Sequence, residues 1–194
     1  MSRKTAHDFD QELLDLFDSY VHGAIDRRGF LDKAAKFAVG GVTAMMLLDQ
    51  LSPDFEAGQV GTEDTRIEAK YLEFESPKGN GKARGYLVQP KAAKGKLPGI
   101  LVIHENRGLN PHIEDIARRL ALDGYLAFAP HALFPLGGYP GDEDKARELF
   151  PKLDQAKTRE DFVAAAAFLK ARPQCTGKVG AVGFCYGGGM VNYL

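Results

Sequence analysis

The 194-residue sequence lacks tryptophan and contains only two cysteines, Cys175 and Cys185. Two cysteines are too few for a disulfide framework, and their spacing does not fit a zinc site. The formal net charge is −1, so charge gives no reason to expect a nucleic-acid or polyanion partner. Internal repeats and low-complexity tracts are also absent. The remaining composition, 44% hydrophobic and 26% charged, is typical of a soluble globular protein with one good core.

Long apolar runs are missing as well. The longest candidate, residues 34–48, is shorter than the roughly 20 residues of a bilayer-crossing helix and is interrupted by Lys36. It follows Arg27-Arg28-Gly29-Phe30-Leu31, which resembles a twin-arginine export signal, although the preceding region is long and acidic. Two interpretations of residues 1–51 stay open. They are an export signal, which implies the periplasm, or helices that fold onto the next domain in a cytoplasmic protein.

Periodicity and turn residues divide the chain into three parts. Apolar residues at helical spacing predict a first helix over 8–22, capped by Asp8 or Asp10. Proline and glycine predict a linker over 52–65, followed by a domain over 66–194. That domain begins with a predicted hairpin and continues with alternating buried strands and helices, which indicates an α/β fold with parallel strands. The predicted elements cover residues 67–75, 83–89, 98–104, 112–123, 125–130, 142–150, 155–171 and 178–182.

The most informative stretch lies after the last predicted strand. Gly183-Phe184-Cys185-Tyr186-Gly187 fits the pattern glycine-x-nucleophile-x-glycine, with cysteine as the nucleophile. The glycines permit a sharp turn from strand to helix, and the helix N-terminus favours a thiolate. The turn also directs the Tyr186 amide toward a developing oxyanion. The alternative is a glycine-rich turn that holds a structural cysteine.

Nine residues follow Cys185, and they include neither an aspartate nor a histidine. In a strand-turn-helix nucleophile site of this kind, the acid and the histidine follow the nucleophile along the chain. We therefore expect an incomplete catalytic set and little or no esterase turnover from the chain by itself. The upstream histidines His104, His112 and His131 are interpreted as polar loop or surface residues, and replacement of the missing base by one of them is the lesser alternative.

Three separated motifs together resemble the dienelactone hydrolases (carboxymethylenebutenolidases), which are α/β-hydrolases with a cysteine nucleophile. They are the segments that begin at His104, Gly124 and Gly183: HENRGLN, GYLAFAP and GFCYGGG. The resemblance covers roughly residues 66–194 and corresponds to the N-terminal part of that domain. It implies a partial α/β-hydrolase fold, preceded here by an N-terminal helical segment.

The resemblance also implies roles for single residues. Cys185 matches the nucleophile, and Glu105 matches a glutamate that pairs with the thiol and helps to generate the thiolate. Asn106 and Tyr186 match the positions whose backbone amides form the oxyanion hole. Arg107 is a weaker candidate for contact with an anionic substrate, and the alternative is that it is a surface cation. The alternative for Glu105 is a solvated carboxylate at the end of the strand.

Two functions are consistent with these features. The first is hydrolysis of a small-molecule ester or lactone through a thioester on Cys185, which needs no metal and no organic cofactor. The second is a non-catalytic remnant, or one half of a split protein whose partner chain supplies the missing strands, aspartate and histidine. In that case the sheet ends at the nucleophile strand with an uncovered apolar edge.

Overall fold

The structure is a computed structural model that describes residues 6–52 and 58–194. The chain forms two compact units that divide between Asp54 and Phe55. The start of the predicted linker, residues 53–57, lies outside the described residues, as do the first five residues of the predicted leader.

The described part of the N-terminal unit contains the short α-helices α1 (Gln11–Val21), α2 (Arg27–Ala34) and α3 (Ala44–Leu51), with two 3-10 turns, around a core of its own. Asp10 caps α1 by accepting a hydrogen bond from the Glu12 amide at 2.8 Å. Phe30, within the arginine-containing motif, is fully buried in this core. Within the described ranges, none of the helices combines the length and apolar character that a bilayer crossing requires.

The second unit is an α/β domain whose elements follow the predicted order. Its strands are β1 (Ile67–Ser76), β2 (Gly81–Pro90), β3 (Leu97–Ile103), β4 (Leu126–Pro130) and β5 (Cys175–Gly183). Its helices are α4 (Pro111–Leu122), α5 (Glu143–Leu149), α6 (Gln155–Lys170) and α7 (Tyr186–Tyr193).

The strands form one sheet in the order β1-β2-β4-β3-β5. β3 pairs parallel to both β4 and β5, whereas β1, β2 and β4 pair antiparallel in that order. The predicted α/β class, with a leading hairpin and three parallel strands, is therefore confirmed. The carboxyl ends of β3, β4 and β5 meet at one edge of the sheet, where parallel α/β sheets place their ligand sites.

Both faces of the central strands are covered, as their nearly continuous apolar sequences predict. Leu101 and Phe128 belong to a core on the face of α6, whereas Val102 and Ala127 belong to a second core beneath α4. Successive strand residues point to opposite faces, so one apolar run supplies both cores. This packing holds the strand ends, and the side chains that follow them, in fixed positions.

Two local features extend beyond the predicted elements. β5 begins before the predicted strand over 178–182, because Cys175 is its first residue, and Cys175 is buried. Val60, within the predicted linker, is buried in the second unit, where its amide donates to Asp115 at 2.8 Å and its carbonyl accepts from Arg118 at 2.6 Å. These bonds cross 55 and 58 residues of sequence, so local composition does not reveal them.

Candidate active site

The turn between β5 and α7 holds Cys185 in a strained conformation. Its backbone angles are φ 52° and ψ −110°, and it is the single non-glycine residue with positive φ in the described ranges. Such a conformation costs on the order of 1–3 kcal/mol and persists only where the surroundings impose it. The residue is exposed, so the thiol stands at the sheet edge in reach of solvent.

The two flanking glycines are required by close backbone contacts. A Cβ on Gly183 would lie 2.1 Å from the Gly187 carbonyl oxygen. A Cβ on Gly187 would lie 2.3 Å from the Ile103 carbonyl oxygen. Both distances are far below any real contact, so only glycine allows α7 to start directly against the end of β3.

The register of the sheet brings Glu105 and Cys185 to the same edge. Ile103 pairs with Gly183 at the last aligned position of β3 and β5, and each candidate residue lies two positions further along. The Phe184 amide donates to the Ile103 carbonyl at 3.1 Å and closes the two strand ends together. Glu105 Oε2 is buried and has no hydrogen-bond partner among the described residues, which leaves it open to a proton or ligand.

Two backbone amides at this edge are unused. Asn106 N–H and Tyr186 N–H donate to no other group within residues 6–52 and 58–194. The Tyr186 amide is at the N-terminus of α7, where the helix leaves its first donors without internal partners. An oxyanion hole requires unused donors of this kind, and these two lie at the strand ends that also carry Cys185.

His104 and His131 lie in the loops after β3 and β4, as predicted, but neither is a surface residue. His104 is fully buried: its Nδ1 lies 2.6 Å from the Glu105 carbonyl, and its Nε2 accepts from the Ala132 amide at 3.2 Å. His131 is 9% exposed, and its Nε2 accepts from the Tyr139 amide at 3.0 Å. Neither ring is placed to serve as an exposed general base. His112 is half-buried on α4.

Burial governs the ionisation of these two histidines. Desolvation lowers the pKa of His104 to about 4, against weaker opposing backbone hydrogen bonds. Desolvation, with smaller effects of His104 and Arg84, lowers the pKa of His131 to about 3. Both rings are therefore neutral near pH 7, and His104 carries its proton on Nδ1, which faces a carbonyl.

Arg107 is not a surface cation, because it is only 9% exposed. Its Nε lies 3.2 Å from Glu143 Oε2 at the start of α5, and its Nη1 donates to the Asn106 side chain at 2.9 Å. Glu143 also accepts from Asn110 at 3.1 Å and from the Tyr139 hydroxyl at 2.6 Å. The charge of Arg107 is thus matched within the fold, and this network braces the loop after β3.

Sequence reasoning missed Glu143, Tyr139 and Asn110. Asn110 had a visible signal, because Asn followed by Pro at a helix start indicates an N-cap, and its side chain accepts from the Ile113 amide at 3.0 Å. Glu143 carries no such signal, since its contact with Asn110 spans 33 residues. Clusters of three or more His, Cys, Asp or Glu side chains fit to bind a metal are absent from the ranges that the structure describes.

A sequence profile of the dienelactone hydrolase family matches residues 83–194. The chain belongs to the dienelactone hydrolase family. The matched range includes the turn at Cys185 and the loop after β3, where the predicted site residues lie. A second profile, described as YqhI-like, matches residues 1–37, within the N-terminal helical unit.

Individual relatives agree with the family assignment. A chain assigned as the hydrolase fragment YghX of Escherichia coli is 52% identical over 114 residues, which are 58% of this chain and 97% of that one. A protein of Synechocystis assigned as a carboxymethylenebutenolidase is 34% identical over 122 residues, which cover 59% of this chain and 49% of that protein. This chain therefore spans about half the length of the Synechocystis protein but nearly all of the YghX fragment.

Solved structures show the same fold. The crystal structure of a Klebsiella pneumoniae protein described as a dienelactone hydrolase superimposes with a TM-score of 0.51 at 31% identity. The superposition covers 62% of this chain and 52% of that one. The dienelactone hydrolase-like promiscuous phosphotriesterase P91 from metagenomic libraries superimposes with a TM-score of 0.52 at 28% identity, over 66% and 53%. The α/β-hydrolase fold that the motifs imply is confirmed.

The two buried histidines predict acid sensitivity of the second unit. An unfolded chain binds a proton on each ring near pH 6.5, whereas the folded chain binds it only near pH 4 or 3. The unfolded state thus binds more protons in between, and stability should fall as pH drops below 6.5, by about 1.4 kcal/mol per pH unit and histidine. Urea unfolding between pH 7 and 5 measures this slope.

The matched variant His104→Gln removes one of the two titrating rings and should halve the slope. A stability that stays constant from pH 7 to 5 in the unsubstituted chain would show that the rings are not buried and neutral.

Proposed function

We propose that the chain is a carboxylic ester hydrolase of the dienelactone hydrolase type, which attacks ester or lactone bonds through Cys185. The observation that carries this proposal is the strained, exposed cysteine beside two unused backbone amides. The family assignment supports the hydrolase class, and the substrate is taken to be a small molecule.

The chemistry follows from the residues around the turn. Glu105 Oε2 accepts the thiol proton, and the Cys185 sulfur attacks the acyl carbon to form a C–S bond. The carbonyl oxygen becomes an oxyanion, and the amides of Asn106 and Tyr186 stabilise it by about 2.7–4 kcal/mol per donor. Collapse of this intermediate breaks the C–O bond, and the leaving alkoxide takes the proton that Glu105 had accepted. Water then hydrolyses the thioester.

Hydrolysis of the thioester is expected to be the slow step, because neither buried histidine is available as a base. Hydrolysis of a thioester needs a base to activate water, and a neutral imidazole usually serves. Both ring nitrogens of His104 are hydrogen-bonded to the backbone, and His131 is almost fully buried. We therefore infer that acylation of Cys185 is faster than release of the acyl group.

A second candidate function is supported by the free edge of the sheet. Within the described part of the chain, β5 pairs only with β3, so its outer edge presents unpaired backbone groups. Next to this edge, on the face of β3 and β5 that α6 covers, Val179 and Val191 line a largely apolar groove together with Leu101, Lys170 and Leu194. We propose as the alternative that a partner chain adds a strand here and supplies the carboxylate and imidazole of the catalytic set.

The twin-arginine hypothesis for the N-terminal unit stays a prediction. Arg27 and Arg28 are exposed on the first turn of α2, which Asp26 caps through the Gly29 amide at 2.7 Å. Phe30 of the same motif is fully buried. A receptor that reads the whole motif would need this helical unit to open, whereas the arginines alone are accessible.

When the chain is mixed with p-nitrophenyl acetate, we expect a burst of one equivalent of p-nitrophenol as Cys185 is acylated. Slow turnover should follow, because acylation is faster than hydrolysis of the thioester. Cys185→Ala should abolish the burst, and Glu105→Gln should slow it by about 100-fold through loss of the proton acceptor. Cys175→Ala is the matched control, since Cys175 is buried in β5. Stopped-flow absorbance and intact mass measure the acyl-enzyme; an undiminished burst in Cys185→Ala would refute the nucleophile.

The partner-chain alternative predicts a gain in turnover on mixing. The probe is the part of the Synechocystis relative that this chain does not match, produced as a separate polypeptide. Turnover of p-nitrophenyl acetate should rise, and Val179→Asp should prevent the rise by charging the apolar groove. Thr176→Asp, at an exposed position of the same strand, is the control. Unchanged turnover in the mixture would count against this alternative.

The export hypothesis predicts that residues 1–51 carry a fused reporter across the inner membrane in a manner that depends on the arginine pair. Replacing Arg27 and Arg28 by lysine keeps the charge and should abolish export. Cell fractionation measures the reporter in each compartment. Retention of the unsubstituted fusion in the cytoplasm would favour a purely structural helical unit.

A further inference from the structure

His104 connects two strand ends at the floor of the candidate site. Its Nδ1 lies 2.6 Å from the Glu105 carbonyl oxygen, and its Nε2 accepts from the Ala132 amide, which follows β4, at 3.2 Å. The ring is fully buried, so no solvent competes for either bond. A carbonyl accepts hydrogen bonds, and therefore Nδ1 carries the hydrogen and Nε2 the lone pair.

The peptide that His104 holds is the one that presents a candidate oxyanion donor. The Glu105 carbonyl and the Asn106 amide belong to the same planar peptide unit. In a trans peptide these two groups point in opposite directions, and cis bonds are absent from the described ranges. Anchoring the carbonyl toward the core therefore turns the Asn106 N–H away from it, toward the edge where it has no partner.

We infer that His104 is a positioning residue that orients the Asn106 amide for the oxyanion. This inference rests on the proposed function, because it assigns a role within the same site. The alternative orientation of the peptide would bury the Asn106 N–H against the ring and place a carbonyl oxygen, which repels an oxyanion, at the site. Loss of the Nδ1 donor removes the contact that disfavours this flip.

Packing fixes the ring that makes these bonds. The Tyr186 ring stacks on His104 at 15° with centroids 6.4 Å apart, while Phe162 and Phe150 contact it at 6.0 and 6.2 Å. Tyr186 is the residue whose own amide is the second candidate donor. The same aromatic cluster thus holds both donors, one through a backbone peptide and one through its side chain.

A matched pair of substitutions separates the two bonds of His104. In His104→Asn, the amide nitrogen of the new side chain replaces Nδ1 and still donates to the Glu105 carbonyl. In His104→Gln, the amide oxygen of the longer side chain replaces Nε2 and still accepts from the Ala132 amide, but the donor to Glu105 is lost. We expect His104→Gln to acylate with p-nitrophenyl acetate about 100-fold more slowly than the unsubstituted chain, as for loss of one oxyanion donor. His104→Asn should recover most of that rate.

Alkylation by iodoacetamide supplies the second readout. This displacement at saturated carbon forms no oxyanion, so the Cys185 alkylation rate should be the same in both variants and the unsubstituted chain. A parallel loss of alkylation and acylation in His104→Gln would show general damage to the turn and overturn the inference. Equal acylation in the Gln and Asn variants would also overturn it.

The same measurements separate this inference from the proposed function. An unsubstituted chain that forms no acyl-enzyme on Cys185 contradicts the proposed function and the role of His104 with it. A chain that acylates on Cys185 while both His104 variants keep its rate contradicts the role of His104 alone. Mass spectrometry of the intact protein after brief exposure to p-nitrophenyl acetate distinguishes these cases.

Discussion

The hydrogen bond from the Phe184 amide to the Ile103 carbonyl joins the ends of β3 and β5 at 3.1 Å, and the site is built around it. Gly187 follows so closely that no Cβ fits between α7 and β3. Because of this contact, Cys185 after one strand and Glu105 after the other lie at the same edge. The proposed chemistry depends on that closure more than on any single side chain.

The strain at Cys185 is sustained by packing on both sides of the turn. Its positive φ costs on the order of 1–3 kcal/mol, which a flexible loop would relax. Here Tyr186 inserts its ring among Phe150 and Phe162, with centroids 4.7 and 6.5 Å away, and prevents the relaxation. The packing of Tyr186 thus supports the strained turn, and donors held in place in advance would need no reorganisation when the proposed oxyanion forms.

Charge is organised differently on the loop after β3. Arg107 is matched by Glu143, and Glu143 is held by Asn110 and Tyr139, so this network is neutral and braces the loop. Glu105, by contrast, has a buried oxygen that finds no hydrogen-bond partner in residues 6–52 and 58–194. A buried carboxylate oxygen without a partner carries a cost that proteins tolerate at functional sites, which agrees with the proposed role of Glu105.

The amino-acid sequence by itself determined the α/β class, the order of the elements, the turn at Cys185 and the family, because these depend on local periodicity, glycine sterics and contiguous motifs. It did not determine the burial of His104 and Arg107, since their partners Ala132 and Glu143 come from segments that only the folded sheet brings near. Charge and polarity alone favoured surface positions for both. Tertiary structure decided otherwise, because a buried polar group is stable wherever distant residues satisfy its hydrogen bonds.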